Sequence, residues 1–361
     1  MKHISLALAA FTLALPASAQ EAEPAPGPSD IINGAGQEDW TVVAPEDLLV
    51  MTLAPDAEGK ERTVILQLMP APFSQGWVEN IRTLARAEWY DGTSINRVQD
   101  NYVVQWGDPN YDNPESGGEA KPLPDGLNVM DEAEYTFREG DEGTEYFREI
   151  EDNLGNWIKR RFAPAKPPPP SSASPEQIRA AFLGDQYAMI HGWFQGWPLA
   201  FDSGEGEGGD GKGAGWPIHC YGMVGVGRNY SPDTGSGAEL YTVIGHAPRH
   251  LDRNIALVGR IIEGMEHLSS LPRGTGALGF YSKEETDKRT PILSIRVASD
   301  LPETEQPQFE YLSTETETFA KYAEARANRR DPFFIVPAGG ADICNIPVPV
   351  RRFEYADEAA E

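Results

Sequence analysis

Residues 93–109 read TSINRVQDNYVVQWGDP. Two short apolar stretches, Ile95 to Val98 and Tyr102 to Trp106, have the length and composition of neighbouring strands. Within them stand Arg97 and Gln105, at places where a buried strand would carry Val or Ile. A strand pair that keeps a guanidinium and an amide among β-branched and aromatic residues offers them to something outside its own core.

Working outward, Asp91-Gly92 ends a preceding helix, in which Trp77, Val78, Ile81, Leu84 and Ala85 recur at helical spacing after Ser74 or Gln75. Before it, Leu48–Leu53 and Thr63–Leu68 flank a turn at Asp56–Gly59 and read as a hairpin. Strand patterns return after Tyr221 as GMVGVG, ELYTVIG (239–245), ALVGRII (256–262) and Ile292–Ala298, with a short helix around Glu263–Leu271. No internal repeat is present, and many short strands with few helices predict a mainly β barrel or sandwich.

Residues 110–218 have a different texture. They hold acidic and Gly-rich runs, APAKPPPPSS at 163–172, and a capped helix pattern after Ser174, periodic from Ile178 to about His191. They read as a loop-rich insertion with one helix. From residue 301 the chain reads as a C-terminal extension: acidic, then helical over Thr318–Asn328, then apolar.

The first 19 residues, MKHISLALAAFTLALPASA, have a basic start, a short apolar centre and an A-x-A site, the signature of a secretory signal peptide cleaved after Ala19. Its apolar centre is too short to span a bilayer, and no later run approaches the roughly 18 apolar residues that would. The expectation is an exported protein, periplasmic if the cell is Gram-negative, with no stable membrane insertion. Residues 20–36, Pro/Gly-rich and acidic, read as a disordered leader. The 361-residue chain carries a formal charge of −26, which disfavours nucleic acid as a partner. Cys220 and Cys344, the two cysteines, either pair as a disulfide in an oxidising compartment or remain buried thiols.

Several motifs carry little. GTGALG (274–279) follows Pro272 and precedes a polar run, without the strand and helix that a dinucleotide fingerprint needs. His246 and His250 are separated by Pro248, and GEGEGGDGKG lacks the alternating acids of a calcium loop. No metal or cofactor is expected.

Two segments together settle the reading. VENIRTLAR…YDGTSINRVQDNYVVQWGDP and GMVGVGRNYSPDTGSGAELYTVIGHAPRHLDRNIALVGRIIEGME resemble, in the same order, the ENF-x-x-L, YDG, FHRV, QGGD, GSQFFITL, APHLDG and VFGRVxEGM segments of the cyclophilin family of peptidyl-prolyl isomerases. The resemblance covers roughly 45–109 and 219–300. It implies a domain over 37–300, interrupted by the 110–218 insertion: a closed antiparallel eight-stranded barrel capped by two helices, with a peptide groove on its outside. It implies that Arg97 is the catalytic arginine, that Tyr102, Val103 and Gln105 line the proline pocket and bind backbone, and that Tyr241, Leu251 and Val258 complete an apolar wall. Gly227 and Arg228 take the rim, and His250 and Ile255 fall on further groove positions.

The departures fall in that groove. The family's GSQFF reads Gly237-Ala238-Glu239-Leu240-Tyr241, so a neutral glutamine is replaced by Glu239, a carboxylate able to pair with Arg97. QGGD reads Gln105-Trp106-Gly107-Asp108, with bulk in place of a glycine. The expected function is cis–trans isomerisation of X–Pro bonds in proline-containing segments of folding exported proteins. The alternative is a catalytically weak peptide-binding or scaffold module built on the same barrel.

Overall fold

The computed structural model describes residues 25–110, 116–138, 187, 188, 190–202 and 213–353. The expected signal peptide lies outside them, as does the stretch from 139 to 186.

Alternation builds the first hairpin. Strands β2 (Leu48–Leu53) and β3 (Arg62–Leu68), which follow a short β1 (Trp40–Val42), pair antiparallel from Leu48–Gln67 to Leu53–Arg62. Leu49, Met51 and Leu53 join Val64, Leu66 and Leu68 in one interior. The Asp56 carboxylate closes the turn by accepting the N–H groups of Glu58 and Lys60, each at 2.9 Å. Helix α2 (Gln75–Arg86), preceded by α1 (Pro28–Asn33), buries Trp77, Val78, Ile81, Leu84 and Ala85 in the same interior. Its outer arginines pair away from the core, Arg82 with Asp47 at 2.6 Å and Arg86 with Glu46 and Asp300 at 2.9 Å each.

The remaining strands of this sheet are β4 (Ser94–Val98), β5 (Val103–Gly107), β10 (Met223–Val226), β11 (Leu240–Val243), β12 (Leu257–Glu263) and β13 (Ile292–Val297). Their order is β13-β2-β3-β12-β10-β11-β5-β4, all antiparallel. The two end strands meet: Ile95 N–H donates to the Thr290 carbonyl at 2.9 Å, Gly92 N–H to Ile292 at 3.0 Å, and Ile292 N–H to Thr93 at 2.9 Å. The result is the expected mainly β architecture, an eight-stranded sheet nearly closed into a barrel. Helix α2 packs on β12 and β13, and the single-turn α3 (Glu266–Ser269) packs against β3.

A second layer lies on the outside of the barrel. Strands β6 (Phe137–Arg138), β7 (Ile190–Phe194), β8 (Trp197–Asp202) and β9 (Ala214–Pro217) form an antiparallel sheet ordered β6-β9-β8-β7. In the tail, β14 (Phe309–Leu312) is paired on one side by β1 and on the other by β15 (Val350–Arg352), and helix α4 (Glu317–Ala327) follows β14. Trp193, Phe194, Trp197, Leu199 and Trp216 of the insertion pack with Phe319, Tyr322, Ile343 and Ile346 of the tail into one apolar core, seated on Met223 and Leu257 of the barrel. A Cys220–Cys344 disulfide, Cα atoms 5.0 Å apart, ties barrel to tail across 124 residues. No helix among the described residues is long and apolar enough to cross a membrane.

One expectation is corrected and one is refined. The leader is not disordered throughout: Pro28–Asn33 is helical, the Asp30 carboxylate accepts the Gly27 N–H at 2.9 Å, and Ile31, Ile32 and Ala35 pack on the second core. Local composition missed it because those three apolar residues find their partners in the distant tail. Where described, the insertion adds strands β6 to β9 to the expected loop-rich segment. Residues 178–186 of the expected helix lie outside the described residues, and His191 stands in β7. The signal was Gln195-Gly196 between two aromatic runs. Both residues have positive φ, 49° and 82°, which is the backbone of a two-residue hairpin turn.

Candidate active site

Arg97 reaches the outside of the barrel through a bulge. Strict alternation would place it on the same face as Ile95. The register between β4 and β5 instead shifts between Ile95 and Arg97, so that Ile95 and Val98 both face the core while Arg97 sits opposite Gln105. Asn96 occupies the extra place, buried, accepting from the Ser94 hydroxyl at 2.7 Å and donating to the Gly107 carbonyl at 3.0 Å. The row continues across the sheet, with Gln105 opposite Tyr241 and Tyr241 opposite Gly225. Arg97, Gln105 and Tyr241 thus share one outer face. Trp106, where the resemblance put bulk in place of glycine, turns inward and is fully buried in the barrel.

These side chains line one groove of about 530 Å³. Arg97, Tyr102, Val103, Gln105, Gly227, Arg228, Glu239, Tyr241, Leu251 and Ile255, all anticipated, are on its walls. Val103, Tyr241 and Val243, with Tyr102, Leu251 and Ile255 half-buried around them, make an apolar cluster separate from the barrel interior. Two anticipated residues are elsewhere. Val258 is fully buried in the barrel core: the pairing of β12 with β10 passes from Gly259 to Leu257 and skips it, turning its side chain inward. His250 is exposed and stands behind the wall, its ring stacked on Tyr102 at 6.3 Å and 11°.

The Arg97 guanidinium is held on three sides. Nε donates to the Leu278 carbonyl at 2.7 Å, Nη1 to Gln105 Oε1 at 3.2 Å, and Nη2 to Gln99 Oε1. The Tyr102 and Phe280 rings lie 5.5 and 5.6 Å from its carbon. Burial pulls its pKa below the usual guanidinium value, against the opposing influence of the Tyr102 and Tyr241 phenols; a guanidinium remains charged in such surroundings. Among the described residues its hydrogen bonds go to neutral oxygens. The Glu239 carboxylate lies against the backbone of Gly107, where a Cβ would come within 2.1 Å of its Oε1.

Leu278, Phe280, Asn229 and Tyr230 also line the groove and were not anticipated. The first two come from GTGALGF. That loop returns beside β4, with Phe280 bridged to Arg97 and Tyr281 N–H donating to the Asn96 carbonyl at 3.0 Å. A glycine-rich stretch closing against a strand was the available signal.

Chemically, the groove offers an apolar slot, a fixed cation at its edge and an amide beside it. A family model described as "Cyclophilin type peptidyl-prolyl cis-trans isomerase/CLD" matches residues 76–297. Among solved structures, the chain is similar to a cyclophilin from Hirschia baltica, with 20% identity and a TM-score of 0.55 over 87% of this chain and 93% of that one. It is also similar to a Cryptosporidium parvum cyclophilin-type peptidyl-prolyl cis-trans isomerase solved in the presence of the dipeptide Ala-Pro, with 11% identity and a TM-score of 0.32 over 69% of this chain and 98% of that one. Curated protein sequences contain no match.

Proposed function

The chain belongs to the cyclophilin-type peptidyl-prolyl cis-trans isomerase family, and on that premise we propose that the outer groove is its active site, with Arg97 stabilising the twisted X–Pro amide. The observation that carries this is the placement of a caged, charged guanidinium at the rim of an apolar slot. Rotation about an X–Pro bond faces a barrier of roughly 18–20 kcal/mol because amide resonance must be broken. Unaided, it takes on the order of 10–100 s. In the twisted state the proline nitrogen becomes pyramidal and regains a lone pair. A donor aimed there favours that state over the planar one, which is the requirement for catalysis. Three contacts hold the Arg97 fork before substrate arrives, so little reorganisation is left to the reaction itself. Gln105 accepts from Arg97 through Oε1, and its N–H groups suit the carbonyl preceding the proline. Val103, Tyr241, Leu251 and Ile255 form the slot for the pyrrolidine ring.

Arg97→Ala should reduce kcat/KM on a proline peptide by about 10²-fold, the scale of losing one preorganised donor to a developing charge. Arg97→Lys, which keeps charge but loses the fork, should fall between. A protease-free assay reads both, and wild-type rates in Arg97→Ala would end the proposal.

We further propose that the enzyme acts on folding proteins after export. Support comes from the Met1–Ala19 segment and from the disulfide, a bond that persists in oxidising compartments. Protein recovered from the producing cell should begin at Gln20 and resist thiol reagents until reduced. An intact Met1 with two reactive thiols would exclude this compartment.

A further inference from the structure

Behind the groove wall lies a buried polar chain that the isomerase chemistry does not itself require. The Tyr241 hydroxyl is 2.9 Å from His219 Nε2. His219 Nδ1 is 2.8 Å from Asp252 Oδ1, which also accepts the His219 backbone N–H at 3.0 Å. Arg249 Nε donates to Asp252 Oδ2 at 2.6 Å. All four residues are more than nine-tenths buried, and His219 is completely so. The His219 and Tyr241 rings are nearly parallel, with centroids 6.3 Å apart.

The chain has a direction. Asp252 accepts from Nδ1–H, which fixes the imidazole tautomer and leaves the lone pair on Nε2. Nε2 therefore accepts the Tyr241 O–H. A phenol replaces the family's phenylalanine at the slot's wall, and its hydroxyl would be costly to bury without this acceptor. Gly225, opposite Tyr241, leaves room for it: a Cβ there would come within 2.3 Å of the phenol oxygen. The acceptor is supplied by the second layer. His219 lies between Ile218, fully buried in the second core, and Cys220, bonded to the tail. Arg249 in turn stands over the ring of Tyr187, at 4.9 Å.

Resting on the active-site reading above, we infer that His219 is a positioning residue for substrate binding: held by Asp252 and the second layer, it locks the Tyr241 ring as a fixed wall of the proline slot. The described residues of the insertion and tail thereby set the shape of a pocket that they do not line. Because the wall contacts the proline ring in the planar and twisted states alike, the lock acts on KM and leaves kcat nearly unchanged.

The test is a double-mutant cycle on the full chain, read as KM and kcat on a proline peptide with melting temperatures alongside. Tyr241→Phe and His219→Leu should each raise KM, His219→Leu by about tenfold, with kcat within about twofold. Together they should raise KM no more than the larger single change. His219→Gln, which keeps an acceptor for the phenol, should recover most of the loss. Factors that multiply, or a His219→Leu protein that melts earlier with unchanged KM, would overturn the inference. A wild type that neither isomerises nor binds prolyl peptides would fail the active-site reading itself, a different outcome from an active wild type with uncoupled variants.

Discussion

At position 225 the side chain is a hydrogen, and the groove depends on it. A Cβ on Gly225 would meet the Tyr241 oxygen at 2.3 Å and its ring carbons at 2.4 and 2.8 Å. Something must move, and the phenol is the freer partner because β10 is paired on both sides. Gly225→Ala should therefore push the Tyr241 ring into the slot and raise KM for proline peptides by about tenfold, at an overpacking cost of roughly 1–3 kcal/mol in stability. An unchanged KM with an unchanged melting temperature would show the wall to be soft. Single residues were the most legible level of the sequence. Arg97, Gln105 and Tyr241 were anticipated from motif order, and the register brings them into one row. Val258 was misplaced because a skipped residue in a strand pairing leaves no trace in composition: one step of register exchanges inside for outside. His219 was invisible because its partners, Tyr241 and Asp252, are distant in sequence and its own neighbours carry no motif.

At the level of elements, the loop carrying Leu278 and Phe280 is latched by Glu285. One carboxylate oxygen accepts the N–H groups of Thr275 at 2.9 Å and Ser282 at 3.0 Å, and the other accepts Lys288 Nζ at 2.6 Å. The Lys288 ammonium first, then the two backbone donors, hold its pKa at about 2, below the usual 4.5. A folded-state pKa below the unfolded one stabilises fully above the unfolded value and is lost as pH falls through the folded value. Amide protection across 275–282 should accordingly be full above about pH 5, weaken progressively as pH falls below about 4.5 and disappear below about pH 2. Glu285→Gln should loosen the loop at neutral pH and lower kcat/KM several-fold, since the Leu278 carbonyl would no longer be held for Arg97. Equal exchange rates in the two proteins would remove the latch. Elements were unevenly legible. Hairpin β2–β3 and helix α2 follow from periodicity, because one face of each is buried against a single interior. The β7–β8 hairpin was hidden because aromatic residues cover both of its faces, erasing alternation.

At the scale of the molecule, the described residues of the insertion and tail join in a single layer. Their aromatic residues make a common core on the barrel's outer wall, and the disulfide fastens it. Boundaries drawn by texture separated 110–218 from 301–361, because the contacts joining them span distances in sequence that no local pattern records. Closing a loop of this size contributes about 4–5 kcal/mol in the chain-entropy model. The recovered oxidised protein, once reduced, should lose a comparable stability in denaturant melts and fall in affinity for proline peptides through His219. A reduced protein as stable as the oxidised one would leave the bond without a mechanical role. One arrangement also orders events in time. Trp40–Val42 has its ladder partner in Phe309–Leu312, whose far side is closed by Val350–Arg352. A ribosome emits the first of these long before the last, so Trp40–Val42 must wait, unpaired, until Phe309–Leu312 has emerged. Closure of this ladder is therefore a late step of folding, and a chain stalled short of Val350 should be recognised by proteases as unfinished.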